Sequence, residues 1–491
     1  MKKLYNKKVY NYSSVILLLS GLLLFFLLLI NSLNLQLIYD LILVIIFLLF
    51  VNEIFFYFFL KFNLISLMFI PPIILFLMSR PLLLLCRGET WCVFGKEIAI
   101  QYLLIMYATV FGLIVGKYVP LINFISSKKI KVKNKFKNFL NKLDKINLNI
   151  SIKLGFFVTF TSYLIVKIIE FINMFGKSYL EYYLGTSQNN IPWIILFLSN
   201  LSLFFMSFYL ASIKNKKLVI LVLILYICST IPTLLIGQRN PFVLSALFSV
   251  SIFYLKNKNE WKIKFNAKKV FFSCIIVCLS SVMLMSFVSI SRNNESKKIS
   301  IIGTTYDFIY NQGTTFETIS IGISQKTVLR NAENNNYTFS AIIDYFKYGQ
   351  IGNVLFNTDS LPEGNSEERA YLSNDLAHKL SYIALKDNYL NGAGIGTTYV
   401  LETFIDFGLI GVFLINCFYA FFCNLLHLRF GNNLLSDTIF IYSLTKIYFI
   451  GRDNALIPFS GLVTFHFTFV IILIYLSSFF ITKYGEKKYE E

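Results

Sequence analysis

The chain has 491 residues, of which 56% are hydrophobic and only 14% are charged, and its mean hydropathy is +0.64. A soluble protein needs about 25% charged residues to cover its surface. The composition therefore excludes a soluble multidomain protein. The formal net charge of +19 is typical of proteins that face nucleic acid, anionic lipid or an acidic substrate, and the positions of the charges distinguish these partners.

Apolar segments of about 17–25 residues, the length that crosses a bilayer as a helix, recur along the whole chain. We predict an all-α polytopic membrane protein with about 12 transmembrane helices. They lie at 14–33, 37–60, 63–85, 98–117, 153–175, 191–213, 218–236, 241–255, 270–290, 404–426, 434–450 and 457–481. The first apolar run is too long for a secretory signal and no cleavage site follows it, so we interpret it as a span.

Lysine sets the predicted orientation, because cytoplasmic loops of membrane proteins are rich in basic residues. With the N-terminus inside, 27 of the 37 lysines fall on the inner side, and both termini are predicted to be cytoplasmic. The most basic segment is the loop 117–153, which contains the run Lys128–Lys137. This run could contact nucleic acid, but we favour a loop held against anionic lipid. No nucleic-acid partner is therefore expected.

One long polar segment interrupts the spans. Residues 291–403 carry a net charge of −3 and are predicted to be extracytoplasmic, between nine transmembrane helices in 1–290 and three in 404–491. The segment contains helix-like stretches at Thr305–Ile323 and Asn374–Leu385. Because long loops are usually functional, we expect the chemistry to take place outside the membrane.

Cysteine and histidine usage gives little support for a metal site. Cys86 and Cys92 share one outer loop, where an oxidising compartment would permit a disulfide; the other cysteines lie in predicted spans and are interpreted as small buried hydrophobes. The three histidines are scattered and no HExxH motif is present. We therefore expect no metal and no cofactor, although a divalent cation bound by carboxylates stays open.

The arginines are distributed differently from the lysines, most of which lie on the predicted cytoplasmic side. Seven of the eight arginines lie on the predicted outer side: Arg80, Arg87, Arg239, Arg292, Arg330, Arg369 and Arg452. Three of them, Arg239, Arg292 and Arg452, stand at outer ends of spans beside Asn or Gly. They could be interfacial side chains that snorkel, with the charged group in water and the aliphatic part along the apolar surface. We favour an anionic ligand at headgroup depth, such as a polyisoprenyl diphosphate, because the guanidinium fork matches phosphate bidentately.

A glycine-rich turn precedes the tenth predicted span. Gly392, Gly394 and Gly396 do not indicate a Rossmann fold, because no βαβ context surrounds them. Such glycines let a backbone approach a ligand and present N–H groups ahead of a helix, so we predict that this turn binds substrate. Glu402 and Asp406 follow at a spacing of four, on one helix face. A carboxylate there could be a general base, could orient an arginine, or could belong to a solvated first turn.

Several charges fall within or beside predicted spans. Lys167 and Glu170, three residues apart in one span, are predicted to pair with each other. Asp40, Glu53 and Lys446 are costly enough in a membrane to be functional candidates, as in an ion-coupled transporter. They are scattered along the sequence and form no recognisable relay.

Three motifs resemble those of Wzy-type polysaccharide polymerases, the oligosaccharide repeat-unit polymerases of O-antigen and capsule assembly. The resemblance covers roughly 230–425, and elsewhere only the general topology. The motifs are GQRNP at Gly237–Pro241, YNQGTTF at Tyr310–Phe316, and NGAGIGTTYVLETFIDFGLIG at Asn391–Gly411.

The resemblance implies a membrane glycosyltransferase of the GT-C class in the bacterial cytoplasmic (inner) membrane. It would transfer a growing glycan from undecaprenyl diphosphate to the nonreducing-end hydroxyl of a lipid-linked repeat unit, at the extracytoplasmic face. No nucleotide sugar or metal is implied, because the lipid diphosphate already carries the activated glycan. The other partners would be membrane lipids and a chain-length regulator.

The resemblance also implies roles for particular residues. Arg239 and Arg292 match the outer-loop arginines of the family and would hold the donor diphosphate, whose stabilisation as a leaving group would be the main catalytic effect. The family offers no fixed base. For deprotonation of the acceptor hydroxyl we nominate Glu402, with His378 and Asp375 as reserves.

The headgroup site would be completed by Arg452 and the Gly392–Gly396 turn.

Three rival functions stay open: a lipid-linked oligosaccharide flippase or other transporter, the related O-antigen ligase, and a sensor or scaffold whose loop binds glycan. A transporter predicts paired inverted repeats and short loops, and the single long outer segment argues against it.

Overall fold

The structure is a computed structural model that describes residues 2–30, 35–60, 63–118, 145–174, 191–236, 240–263, 301–362 and 364–490. The first part of the chain forms helices α1 (Lys2–Ile30), α2 (Leu35–Leu60), α3 (Leu64–Leu77), α4 (Ser79–Cys86), α5 (Lys96–Gly116), α6 (Lys145–Met174), α7 (Trp193–Ser212), α8 (Lys216–Ser229), α9 (Ile231–Ile236) and α10 (Asn240–Lys256).

The second part begins with short helices and ends with long ones. These are α11 (Ile301–Gln312), α12 (Thr315–Ser324), α13 (Lys326–Arg330), α14 (Ser340–Tyr348), α15 (Gln350–Phe356), α16 (Glu367–Leu372), α17 (Leu376–Leu385), α18 (Asp387–Leu390), α19 (Tyr399–Arg429), α20 (Leu434–Leu444), α21 (Ile457–Ser460) and α22 (Phe465–Glu490). No strand occurs within the ranges given above.

Eight helical segments of the described chain are long and apolar enough to cross a membrane. They are Gln36–Phe58, Lys96–Gly116, Leu148–Met174, Trp193–Ser212, Lys216–Leu235, Tyr399–Arg429, Leu434–Arg452 and Phe465–Thr482. The pair α3 and α4, bent by 61°, makes nine if it counts as one broken span. The predicted all-α class is confirmed for the part of the chain that the structure describes.

The predicted number of twelve spans is not reached by the described residues. In the predicted span 14–33, the apolar helix Tyr12–Phe26 is shorter than a full span. The predicted span 241–255 corresponds to α10, which has 17 residues, and 270–290 lies outside the described residues.

The chain divides into two compact units. The first comprises Met1–Tyr118, Phe265–Leu428 and Lys446–Ile457, and the second Val119–Lys264, Arg429–Thr445 and Pro458–Glu491. Each is described separately below.

Within the first unit, the short helices α11 and α12 pack on membrane-type helices. Ser79 Oγ donates to the carbonyl of Ile309 at 3.1 Å. Gly313 is fitted against Ser79 and the backbone of Arg80, where an added Cβ would stand 2.5 Å from Ser79 Oγ. Phe316 is buried and its ring meets Tyr102 of α5 edge-on at 4.9 Å. The segment after residue 300 is therefore anchored on α4 and α5.

Helices α5 and α19 approach each other through two glycines. A Cβ on Gly112 would stand 2.5 Å from the carbonyl oxygen of Phe413, and one on Gly116 would clash with the backbone of Cys417. The spacing Gly-x-x-x-Gly is a common interface between membrane helices, because small residues let two backbones come close.

Two acidic side chains in the apolar helices of the first unit, Glu53 and Asp40, have partners. Glu53 and Lys117 form an ion pair in which both side chains are only 1% exposed, with Lys117 Nζ 2.5 Å from Glu53 Oε1. Asp40 accepts a hydrogen bond from Trp91 Nε1 at 2.7 Å. These contacts account structurally for the two acidic side chains, because a buried charge needs a partner.

Aromatic rings stack between helices of the second unit. Phe156 of α6 stacks on Tyr209 of α7 at 4.7 Å, and Phe204 of α7 stacks on Tyr442 of α20 at 4.8 Å. The predicted pair of Lys167 and Glu170 is confirmed, with 2.7 Å between Nζ and Oε2.

The disulfide considered for the first unit is not formed. Cys86 is exposed, Cys92 is half-buried, and both are free thiols.

Helix α19 is broken at Gly408, whose φ of 67° and ψ of −157° are not helical. All residues from Tyr399 to Ile405 are buried, whereas Phe407 and Ile410 are exposed. The part after the break, Leu409–Arg429, has a length of about 31 Å at 1.5 Å per residue, close to the roughly 30 Å of hydrocarbon in a bilayer. The part after the break is therefore long enough by itself to cross a bilayer.

Candidate functional site

Glu402 is the most deeply buried of the predicted site residues that the structure describes. It lies in the first turn of α19 and is 0% exposed. Its Oε1 accepts hydrogen bonds from Thr397 Oγ1 and Asn454 Nδ2, each at 3.0 Å, and its Oε2 accepts one from the Ala455 N–H at 2.7 Å. The alternative of a solvated first turn is therefore wrong. Hydrogen bonds to a buried carboxylate are strong, so Glu402 fixes the turn that contains Asn454 and Ala455.

The same turn is held from its other side. The hydroxyl of Tyr419, a buried residue of α19, donates to the Ala455 carbonyl at 2.5 Å. Ala455 thus has both its N–H and its carbonyl bound to side chains of one helix, which leaves the turn little freedom to move.

Asn454 brings three distant parts of the chain together. Its Nδ2 lies 3.0 Å from Glu402 Oε1, 3.1 Å from Ser340 Oγ and 3.3 Å from Asp375 Oδ1. The Asp375 carboxylate also caps α17, by accepting from the Ala377 N–H at 2.9 Å. Two of the predicted site residues, Glu402 and Asp375, are therefore neighbours through one amide.

Asp453 adds a third carboxylate, and we call Asp375, Glu402 and Asp453 the acidic cluster. Asp453 Oδ1 accepts from the Asn454 N–H at 2.9 Å, while the described residues provide no hydrogen bond to Oδ2. Burial raises the pKa of Asp453 to about 6, and the Asp375 carboxylate acts in the same direction, against the Asn454 N–H and the Lys446 ammonium. Asp453 therefore changes its charge close to neutral pH.

His378 stands one turn after Asp375 on α17. Its Nδ1 lies 2.9 Å from the hydroxyl of Tyr389. Burial lowers the pKa of His378, although the Asp375 carboxylate acts against this shift. The imidazole is therefore neutral at pH 7 and can accept a proton.

The glycine-rich turn has the backbone that its composition predicts. Gly392 and Gly396 have φ values of 95° and 74°, which only glycine adopts easily. Part of its hydrogen-bonding capacity is used within the protein: the Ile395 N–H donates to Ser381 Oγ at 3.0 Å, and the Ile395 carbonyl accepts from Thr318 Oγ1 at 2.9 Å. Gly394 lies beside the same serine, 3.6 Å from its Oγ if a Cβ were added.

Two of the outer arginines contact aromatic rings. The guanidinium of Arg80 lies 4.3 Å from the ring centroid of Tyr310 and forms an ion pair with Glu317 at 2.9 Å. The guanidinium of Arg87 lies 4.0 Å from the ring centroid of Tyr306. These contacts join α4 to α11 and α12.

The other described arginines bind oxygens of the protein. Arg330 Nε donates to the Ile405 carbonyl at 2.7 Å, and Arg369 Nη1 to the Pro362 carbonyl at 3.1 Å. Arg452 Nη1 lies 3.4 Å from Gln312 Oε1, in a half-buried position next to the acidic cluster. Arg239 and Arg292 lie outside the described residues.

Sequence reasoning missed Asp453 and Asn454 as site residues. Of the turn Gly451–Asn454, the sequence analysis selects only Arg452. An Asp-Asn pair directly after a predicted span is a recognisable signal, because such polar residues at the end of an apolar segment are candidates for a site. Its connection to Glu402 and Asp375, however, depends on tertiary structure.

Comparison with known protein families gives one match over nearly the entire chain. The model of the family described as "O-antigen polysaccharide polymerase Wzy" matches residues 11–485. No curated protein and no solved structure matches the chain.

Proposed function

The chain belongs to the O-antigen polysaccharide polymerase Wzy family, and on that premise we propose that it transfers a growing glycan from undecaprenyl diphosphate onto a lipid-linked repeat unit. Family membership and the eight apolar helices make it a multi-pass membrane protein of polysaccharide biosynthesis, and enzymes of this family act on lipid-linked repeat units. The donor, the acceptor, the GT-C-like fold and the extracytoplasmic site in the inner membrane, with both termini cytoplasmic, are part of the proposal.

The observation that carries the mechanism is the acidic cluster. In the reaction, the acceptor hydroxyl oxygen forms a bond to the anomeric carbon of the donor glycan, and the bond from that carbon to the diphosphate breaks. The electron pair leaves with the undecaprenyl diphosphate, and the hydroxyl proton must go to a base. Asp453 has a pKa of about 6, and one of its carboxylate oxygens receives no hydrogen bond from the described residues, so it is suited to accept the proton.

Glu402 is then a positioning residue and not the base. Both of its oxygens already accept hydrogen bonds and its side chain has no exposed surface. We assign it the role of holding Asn454 and Ala455, and hence the neighbouring Asp453, in place. Asp375 and His378 remain reserve bases, because they lie beside the same amide or one turn away.

The leaving diphosphate needs positive charge, which the acidic cluster does not supply. Arg239 and Arg292 are proposed for this role on the strength of their sequence context and the family resemblance. Arg452, next to Asp453, and the Gly392–Gly396 turn would complete the headgroup site. A guanidinium aimed at the charge that develops on the leaving group is worth several kcal/mol in mutational studies of comparable sites, about 2.7–4 for one donor.

The proposal is tested by the lipid-linked glycans that accumulate in cells carrying Arg239→Glu. We expect single repeat units on the lipid carrier at the outer face and no polymer, whereas Arg87→Glu, a control at a side chain that is 53% exposed, should leave the polymer intact. Repeat units trapped at the cytoplasmic face would indicate a flippase. Polymer retained on its lipid carrier would indicate a ligase.

A separate experiment tests whether Arg239 and Arg292 bind the donor diphosphate. If Arg239→Ala and Arg292→Ala each leave the length and the amount of the polymer unchanged, the two arginines do not hold the leaving group.

A further inference from the structure

A cavity of about 530 Å³ lies where α19 is broken. The residues that line it include four polar ones, Arg330, Asn335, Asn336 and Asp406, together with Phe407 and Gly408. The volume is within the range of about 300–1,000 Å³ for small-molecule sites. No step of the mechanism above uses this cavity.

The cavity and the acidic cluster are close neighbours. Asp406 follows Glu402 by one helical turn, about 5.4 Å along the axis. One short segment contacts both: the Thr338 N–H donates to Asp406 Oδ2 at 2.7 Å, and Ser340 Oγ accepts from Asn454 at 3.1 Å. A ligand in the cavity would therefore lie about one helical turn from Glu402 of the acidic cluster.

The polar lining combines donors with acceptors. Arg330 offers only donors, Asp406 in its ionised form only acceptors, and the two asparagine amides offer both. Asp406 Oδ1 is buried without a hydrogen-bond partner among the described residues, so the carboxylate is incompletely satisfied by the protein. A phosphate group, which only accepts and is negatively charged, would match Arg330 but not the neighbouring Asp406. Hydroxyl groups, which donate and accept, match this lining.

The break at Gly408 supplies an apolar wall beside the polar one. The ring of Phe407 is 54% exposed and meets the 44% exposed ring of Phe339 edge-on at 6.3 Å. An exposed ring next to mixed polar groups offers a flat apolar surface to the C–H face of a sugar. If the part of α19 after the break is the portion that crosses the bilayer, the cavity lies at the membrane surface, where a glycan carried by a membrane lipid would reach it.

We propose that the cavity at Gly408 is a glycan-binding subsite, which holds sugars of the repeat unit next to the acidic cluster. The inference rests on the proposed function, since it takes the glycan to be that of the lipid-linked substrate. Arg330, Asn336 and Asp406 bind sugar hydroxyls, and Phe407 packs against a ring face.

The test measures binding of a soluble probe to the full-length protein in lipid nanodiscs. The probe is the oligosaccharide repeat unit released by mild acid from the lipid-linked intermediates of the native strain. We expect the double variant Asn336→Ala/Phe407→Ala to bind it at least tenfold more weakly than the unmodified protein. The matched control Asn388→Ala/Phe356→Ala, at two exposed side chains outside the cavity, should bind as the unmodified protein does.

Two results would overturn the subsite: no binding of the probe by the unmodified protein at millimolar concentration, or equal affinity in the cavity variant. Asp406→Asn, which keeps an acceptor for the Thr338 N–H, provides a second variant if the first fails to fold, and the same loss of affinity is expected.

Failure of the subsite and failure of the proposed function give different results. If the cavity variant both binds the probe and polymerises normally while Arg239→Glu abolishes the polymer, the subsite is refuted and the polymerase stands. If the probe binds in the cavity but Arg239→Glu still produces polymer, the proposed diphosphate site is refuted and the subsite stands.

Discussion

The carboxyl group of Asp453 is half-buried between a cation, Lys446, and a second carboxylate, Asp375. Burial favours the neutral acid, which is why its pKa lies near 6 rather than near the usual value of about 3.9. A group that titrates close to neutral pH is an efficient base there, since it is largely ionised and still has appreciable proton affinity.

The residue Asp453 leads to a prediction on pH dependence. The base must be ionised to accept a proton, so the rate of polymerisation should fall as pH drops through about 6, approaching tenfold for each pH unit below it. Asp453→Asn should lose activity by about 10²–10⁴-fold, and the remaining activity should lack this acid limb. The measurement is the rate of glycan transfer between lipid-linked repeat units by purified protein.

The reserve bases provide the controls for this experiment. Asp375→Asn should move the acid limb to lower pH, because its negative charge raises the pKa of Asp453. If His378→Gln abolishes the limb while Asp453→Asn retains it, the histidine is the base instead.

At the residue scale, the sequence predicts Glu402 as a site residue from its position beside a predicted span, and the family resemblance adds Asp375 as a reserve base. The structure brings the two carboxylates to one amide, and their roles stay a prediction. Full burial of Glu402 was not predictable. It depends on Asn454 and Ala455, which lie about fifty residues further along the chain, and spacing within one helix carries no information about such a partner.

At the scale of elements, the contact between α5 and α19 is a backbone contact. Gly112 and Gly116 have no side chains to separate the helices, and the carbonyls of Phe413 and Cys417 occupy the space that a Cβ would need. Since Glu402 of the acidic cluster lies in the first turn of α19, this contact helps to fix the helix that carries it.

The close approach predicts that Gly112→Leu is destabilising. A side chain inserted into a packed interface costs about 1–3 kcal/mol or more, so the thermal unfolding temperature of the protein in detergent should fall. Val115→Leu, at a partly exposed position on the same helix, is the control and should have little effect. Equal unfolding temperatures for Gly112→Leu and the unmodified protein would contradict the contact.

The elements themselves were predictable to different degrees. Hydropathy located the long helices, because burial in a bilayer demands a continuous apolar segment. The helix-like stretch Thr305–Ile323 was seen as one unit, yet it forms α11 and α12 with a turn at Gly313 between them. That turn lets the chain fold back on α4 and α5, and a sequence pattern does not reveal such tertiary constraints.

At the scale of the whole molecule, the distribution of lysine and arginine remains a prediction about orientation. It places Cys86 and the segment 291–403 outside the cell membrane, and the connection around Asn432 inside. Cys86 is an exposed free thiol, and Asn432 is an exposed side chain, so both positions are open to a chemical probe.

Thiol labelling of cells tests this orientation. In a chain that retains Cys86 as its sole cysteine, a maleimide that cannot cross membranes should react without permeabilisation. In a chain without native cysteines, Asn432→Cys should react only after permeabilisation. Labelling of both from the same side would contradict the predicted topology.

The side-chain amide of Asn454 has fewer hydrogens to donate than it has oxygens within hydrogen-bond distance. Its amide nitrogen carries two hydrogens, but three oxygens, those of Ser340, Asp375 and Glu402, stand within 3.3 Å. Thr397 and Ala455 also donate to Glu402, Ala377 also donates to Asp375, and the hydroxyl of Ser340 carries a hydrogen of its own. The amide can therefore bond to any two of the three oxygens while the third has a hydrogen from another group, so this junction of three chain segments tolerates small shifts of the Asn454 side chain.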